Sequence, residues 1–362
     1  MRLVALAVAV LALGSHAASI PKAAYLRDST AFVDRRIVAR HVSGAVRWSG
    51  DGKLLSVGGR IVGGPRLSTG FELAWAPTGE TAAYVTKHGG VMLWTPKGGL
   101  RRILADGWGA STLAWGPDGR LAIGRAVCRG ACGKPSHTEI WIWQSGSPRR
   151  LLGPLADDTS PQPFAWTGGR VLWWAWPDSA SVAADGVALY ANGDRVAAKV
   201  LRYPDYVAAC GMHLAVAAGF DRYAMHGKRI LFDGRDVSRD HSRSWVSPYC
   251  TADGRLVAAA SQNTTPSRIG KEHRAIWQLL PTRRQLTHPP RGRTDEFPRL
   301  LPDGSIVFVR TRTVSNPLEL YGVGTIELLR SGRLTALGTA SKADNYYGHY
   351  DWPDLIAVAP TG

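Results

Sequence analysis

The segment NYYGHY, residues 345–350, sets three tyrosines and a histidine around a glycine. Such side chains pair a flat apolar body with hydrogen-bonding tips, a combination suited to holding a polar ligand. Similar mixtures recur upstream: Trp108, then Asp157 and Asp158, then Asp205 and Tyr206, then His241, Arg243 and Trp245, then Arg293, Asp295 and Glu296. Each group stands just before a short apolar run, so convergence of those runs would gather the groups at one mouth. The candidate ligand-binding set is Trp108, Asp158, Tyr206, His241, Arg243, Arg293, Glu296, Tyr346, Tyr347 and His349. Aromatic faces would supply contact area, while arginine and carboxylate fix orientation, which is what binding of a protein, a peptide or an anionic polysaccharide requires. The alternative chemistry is carbohydrate cleavage by a lyase or hydrolase. There His349 and Tyr347 would exchange protons, and Arg293 would stabilise the carboxylate of a uronate.

Sequence signatures of other chemistries are missing. There is no GxSxG elbow, HExxH metal helix, phosphate loop or GxGxxG nucleotide fingerprint. His213, His226, His241, His288 and His349 are scattered, so neither a metal nor another cofactor is expected. The four cysteines are an even number, as suits an oxidising compartment. Cys128 and Cys132 lie in one short glycine-containing loop, whereas Cys210 and Cys250 share a repeat register one unit apart. Three connectivities remain open from the sequence.

Met1 and Arg2 lead into the apolar run Leu3–Leu13, and small residues follow from Ser15 to Ser19. This reads as a secretory signal peptide over residues 1–18, leaving 19–362 as one domain that is secreted or held in the periplasm or envelope. The run is shorter than the roughly 20 apolar residues of a spanning helix, and no later run is longer, so no membrane-spanning segment is expected after cleavage. A net charge of +16 attracts polyanions, but the basic residues are dispersed. No basic helix or groove-reading motif accompanies them, so nucleic acid is not expected as a partner, and the chain reads as a monomer.

The elements that would position the candidate residues are repeats. A pattern of apolar strand, tight turn and apolar strand begins at Trp48, Trp75, Trp115, Trp166, Cys210, Cys250, Leu300 and Trp352, at spacings of 27, 40, 51, 44, 40, 50 and 52. Most approach the roughly 40 to 50 residues of a propeller blade. Asp51-Gly52, Asp118-Gly119, Asp253-Gly254 and Asp303-Gly304 supply hairpin turns. A second hairpin follows in most units, as in Ile140–Trp143 with Arg149–Leu152, so two hairpins make a four-stranded blade. Trp173, Trp174 and Trp176 read as packing between blades, as do Trp141 and Trp143. The tail, Tyr350–Trp352 and Leu355–Val358, matches only the first hairpin of a unit; the strand-like runs within Ala31–Val42 would complete it.

The W-x-P-D-G-x-L-A phrase, fullest at Trp115–Ile123, resembles the TolB-like, WD-type propeller repeats. Trp75-Ala76-Pro77-Thr78-Gly79 lacks its Asp, and Leu300-Leu301-Pro302-Asp303-Gly304 lacks its Trp. The resemblance covers nearly all of the chain after residue 18. It implies an all-β fold: a single β-propeller of four-stranded antiparallel blades, closed by N- and C-terminal strands in one blade. Eight blades are expected, or seven if the compressed first unit is incomplete. Such propellers include protein-binding scaffolds, sugar-polymer lyases and domains attached to peptidases. A non-catalytic binding propeller is therefore the leading expectation, and a lyase or hydrolase the alternative.

Overall fold

Two short apolar strands joined by a turn cannot cover their own faces, so stability requires stacking one sheet on the next. The computed structural model describes residues 20–67, 69–127, 137–155, 159–177, 186–200, 204–219, 222–265, 267, 271–312, 321–346 and 348–360. The expected leader over 1–18 and Cys128, Cys132, Asp157, Asp158 and Tyr347 lie outside them. The described residues form eight antiparallel sheets arranged as propeller blades. The inner strands are Val46–Trp48, Thr69–Trp75, Ala110–Trp115, Thr159–Thr167, Val207–Cys210, Arg243–Cys250, Arg293–Leu300 and Ile356–Val358, which we number as blades one to eight. Six sheets have four strands. Blade one has three, as its short 27-residue spacing allows, and blade seven carries an extra ribbon in which Tyr346 pairs with His349. In the Asp-Gly turns, Gly119 and Gly304 adopt φ of 78° and 82°, a region costly for other residues.

The inner strands are fastened at one register. The indole Nε1 of Trp48 donates to Ala357 O of blade eight at 3.2 Å, that of Trp115 to Ala74 O at 3.0 Å, and that of Trp166 to Ala114 O at 2.8 Å. In each case the ring bonds the residue just before the same position in the preceding blade. Trp75 bonds Ser56 Oγ of blade one instead. Where tryptophan gives way to cysteine, Cys210 and Cys250 form a disulfide between blades five and six. The paired tryptophans of blade four are also interior: Trp173 stacks on Tyr190 and Trp174 on Phe164, both indoles buried.

Closure joins both ends of the chain in one sheet, with a different division from the one expected. The C-terminal end gives one strand, Ile356–Val358, and the N-terminal end gives three, Ala23–Arg27, Thr30–Val33 and Arg36–Arg40. The eighth repeat therefore falls at Val358 rather than Trp352. Val358 pairs with Ala23 and Ile356 with Tyr25, matching Trp75 with Ala82 and Leu73 with Tyr84 in blade two. The sequence agrees: VAPTG at the C-terminus repeats WAPTG at Trp75, and the AAYL of Ala23–Leu26 repeats the AAYV of Ala82–Val85. Trp352 instead opens a single helical turn, Trp352–Leu355, where Pro353 suits the start of a helix. Its buried ring stacks on Tyr350 over Gly322 and Gly324, where any side chain would collide with the two rings.

Breaking a fastening should cost measurable stability. The disulfide spans 40 residues, so the loop-entropy relation gives about 4 kcal/mol as its contribution. Replacing Cys210 and Cys250 together by serine should lower the unfolding free energy by about 2 to 4 kcal/mol in denaturant titration. Trp166→Phe should cost about 2 kcal/mol, since it leaves the Ala114 carbonyl without its donor.

Candidate functional site

Blades six and seven depart from regular strand geometry at equivalent places. Ser247 and Phe297 each precede a proline, each lie three residues before the fastening position, and have φ of 52° and 54°. Pairing with the neighbouring strand slips there, between Val246 and Tyr249 and between Glu296 and Arg299. Such bulges twist a strand and re-aim its side chains, at an energetic cost in a region few non-glycine residues occupy. One turns Ser247 Oγ to donate to Asp205 Oδ2 at 2.6 Å. The other sets Arg299 beside the channel.

The channel encloses about 990 Å³ and is walled mainly by blades one, five, six, seven and eight. Its charged lining comprises Arg47, Asp205, Asp253, Arg255 and Arg299. Arg47 donates to Pro353 O at 2.6 Å and to Asp354 Oδ1 at 2.9 Å. Arg255 pairs with Asp253. Arg299 has no carboxylate within ion-pair distance among the described residues; it donates to Pro298 O and lies against the rings of Phe297 and Tyr249. Burial, together with the like charge of Arg47, pushes its guanidinium down to about 10, against the pull of Tyr249 and Asp205, and it remains a cation at neutral pH. Burial raises Asp205 in turn.

Behind this wall lies a dry ionic cluster. Arg274, fully buried, donates to Glu296 Oε1 at 2.6 Å and to Gly348 O at 3.0 Å. The indole of Trp352 donates to Glu296 Oε2 at 3.3 Å. Burial, reinforced by the second carboxylate of Glu272, pushes Glu296 up to about 7 despite Arg274. The histidine is equally enclosed. His349 Nε2 faces the carbonyl of Arg222 at 3.0 Å and must donate to it, so Nδ1 accepts from Tyr206 Oη at 2.6 Å. Burial holds its pKa well below the usual imidazole value, as a neutral ring requires. The half-buried Asp351 is raised to about 6 by burial and then by the charges of Asp354, Asp344 and Asp205.

Of the residues singled out in the sequence, Tyr206, Glu296 and His349 meet in this cluster, buried behind the channel wall rather than standing as exposed loop groups. Tyr346 pairs through its backbone with His349, and Trp108, His241, Arg243 and Arg293 are elsewhere. Trp108 packs edge-on against Trp141, with Arg125 over both rings and bonded to buried Glu139. His241 pairs with Asp236. Arg243 pairs with Asp240 and covers Trp277. The Arg293 carbonyl accepts from His273 Nδ1, and no contact among the described residues joins Arg293 to His349. Asp158 and Tyr347 lie outside the described residues. Arg47 and Arg299 of the channel wall and Arg274 of the buried cluster are residues that reading of loops missed. A register signal existed for two of them: the position before the fastening residue is alanine at 74, 114, 165, 209 and 357, but arginine at 47 and 299. Among the described residues, no three His, Cys, Asp or Glu side chains converge as metal ligands would.

A carboxyl whose pKa is raised in the fold binds its proton more tightly there than in the unfolded chain. Its stabilising contribution is full below the ordinary value of 4.5 and is lost as pH rises to about 7. The stability of the wild type relative to Glu296→Gln should therefore fall across that window in denaturant melts at several pH values. Arg274→Met removes the cation that opposes the rise in Glu296, so the carboxyl should stay protonated through pH 7 in the variant. The substitution should cost about 1 to 3 kcal/mol, for the donors lost to Glu296 and to the Gly348 carbonyl, and slightly less at pH 5, where the glutamate is protonated in both proteins.

No protein-family model matches the chain, and no curated protein sequence does. Among solved structures, it is similar to the acylaminoacyl peptidase of Pyrococcus horikoshii at 11% identity and a TM-score of 0.48, over 86% of this chain and 52% of the peptidase. The chain thus spans about half the length of that enzyme. It is also similar to the β-propeller domain of the Trilobed protease from Pyrococcus furiosus, described as having an open velcro topology (14% identity, TM-score 0.39, 73% of this chain and 94% of that one). A third similarity is to an ulvan lyase from a new polysaccharide lyase family (10%, 0.39, 84% and 87%).

Proposed function

We propose that this chain is an exported propeller, akin to TolB-like, WD-type repeat proteins, that binds an anionic part of a protein, peptide or envelope polymer in its channel without chemistry. The observation that carries this reading is Arg299: a guanidinium beside an open channel, braced by two rings and without a carboxylate partner among the described residues. Arg47 adds a second positive charge near it. A half-buried cation held in one orientation gives a bound carboxylate or sulfate a strong hydrogen bond at little further cost in ordering. The channel volume lies within the range of ligand sites.

The acid–base groups of the mouth support binding over cleavage. Both ring nitrogens of His349 are engaged within the protein, and both oxygens of Glu296 accept internal hydrogen bonds. Export is supported by the apolar run Leu3–Leu13 and by the Cys210–Cys250 disulfide. No helix among the described residues is long and apolar enough to cross a membrane.

The test is calorimetric titration of residues 19–362 with acidic peptides and uronic oligosaccharides, with Arg299→Gln as the comparison. Saturable binding that weakens about tenfold or more in the variant, with an unchanged circular dichroism spectrum, is expected for loss of a charged hydrogen bond. Equal affinity in both proteins would sink the channel assignment. Appearance of unsaturated uronate absorbance would replace binding by lyase chemistry.

A further inference from the structure

The channel that holds Arg299 also holds a carboxyl that the fold uses only in part. Asp205 stands in the short turn Pro204–Tyr206, at the entry to the inner strand of blade five; it lines the channel and is 9% exposed. Its Oδ2 accepts from Ser247 Oγ, whereas Oδ1 takes no side-chain hydrogen bond among the described residues. A carboxylate oxygen has two lone pairs to offer, so Oδ1 has room for a donor that enters the channel.

Asp205 and Arg299 act on one another electrostatically, yet they do not close an ion pair. Opposite charges in one shielded wall attract, so each must be held back from its own side. Ser247 holds the carboxyl. Arg299 is held by its bond to Pro298 O at 2.8 Å and by the ring of Phe297, whose centroid lies 3.6 Å from the guanidinium carbon. Ser247 and Phe297 are the equivalent left-handed residues of blades six and seven, with φ of 52° and 54°. The same backbone strain thus sets both tethers, and strain kept at a wall that faces open space separates the two charges across a gap. Arg47 adds to the positive side through its like charge on Arg299, and Arg274 acts on Asp205 from the cluster behind.

We propose that this gap makes the channel selective for an anion that carries its own hydrogen-bond donor on the neighbouring carbon: a carboxylate for Arg299, with an ammonium or hydroxyl for Asp205. The inference rests on the channel reading and narrows its ligand. A plain anion bound at Arg299 would face the acceptor oxygens of Asp205 and be repelled, whereas an adjoining donor turns the same carboxyl into a partner. Val46, Val207, Pro248, Ile356 and Val358 offer apolar surface to the body of such a molecule. An amino acid and a hydroxy acid share this chemistry and differ in the charge of the donor.

Phenylpropionate, phenyllactate and phenylalanine differ only at that carbon, which bears hydrogen, hydroxyl or ammonium. Calorimetric titration of residues 19–362 with each should show phenylalanine or phenyllactate binding about tenfold tighter than phenylpropionate, as one added charged hydrogen bond provides, and the tighter of the two identifies the donor. Asp205→Ala should erase the preference, and Asp205→Asn, which keeps the shape of the side chain, should reduce it. A preference unchanged in both variants would overturn the assignment to Asp205. Arg299→Gln should weaken all three acids about tenfold. Three acids that bind alike and all depend on Arg299 would sink the donor inference and leave the channel reading standing. Binding that ignores Arg299 would place the acids elsewhere, and both would fall. Failure of all three to saturate would overturn the donor inference, with the acidic peptides and uronic oligosaccharides still deciding the channel reading.

Discussion

The structure depends on how one inner strand is held to the next. An indole N–H reaching a backbone carbonyl does two tasks at once: it satisfies a polar group that the crowded axis hides from water, and it fixes the height of each blade relative to its neighbour. Three tryptophans repeat this contact at one register. Between blades five and six, where no tryptophan stands at that register, a disulfide occupies the same place. A hydrogen bond and a covalent bond thus serve one constraint, which explains why cysteine stands where the repeat would otherwise put tryptophan.

Fixing that register decides what the axis can present. The residue before each fastening point is alanine in blades two to five and eight, tyrosine in blade six, and arginine in blades one and seven. One side of the ring is therefore small and featureless, and the other carries the long polar side chains. The bulges at Ser247 and Phe297 fall on that same side, in adjacent blades, so backbone strain and unpaired charge coincide. Strain of this kind persists only where surrounding structure over-determines it, and beyond the bulges the disulfide at Cys250 and the buried side chain of Leu300 hold the strand ends in place.

The architecture was legible in the sequence because a propeller repeats its solution: the Trp, the Asp-Gly turn and the paired hairpins each recur in several blades and report one burial problem. Legibility failed at Trp352, where a tryptophan at nearly the right spacing outweighed the quieter match of VAPTG with WAPTG. It also failed at the first strand of the closing blade, Ala23–Arg27, which lies close behind the leader-like segment. The site was read less well, for a physical reason. Tyr206, Glu296 and His349 look like loop residues, and loops are ordinarily solvated. Here the loops fold inward onto Arg274, and pairing among their own polar groups replaces water. Arg47 and Arg299 were missed because a lone arginine inside a strand reads as surface until its register is compared across blades.

Burying Arg274 with Glu296 and Glu272 does not by itself make a fold more stable, since desolvation opposes the attraction. Its effect is positional. Arg274 grips the carbonyl of Gly348, Tyr206 holds His349, and Trp352 returns to Glu296, so the segment from Gly348 to Trp352 is tied down at three points. That segment leads directly through one helical turn into Ile356–Val358, the strand that closes the ring. Pro353 and Ile356 also line the channel, and Arg47 bonds the Pro353 carbonyl. The mouth and the closure are therefore one mechanical unit. Whatever loosens the ionic cluster acts on the ring seam, and whatever occupies the channel bears on the residues that hold the seam shut.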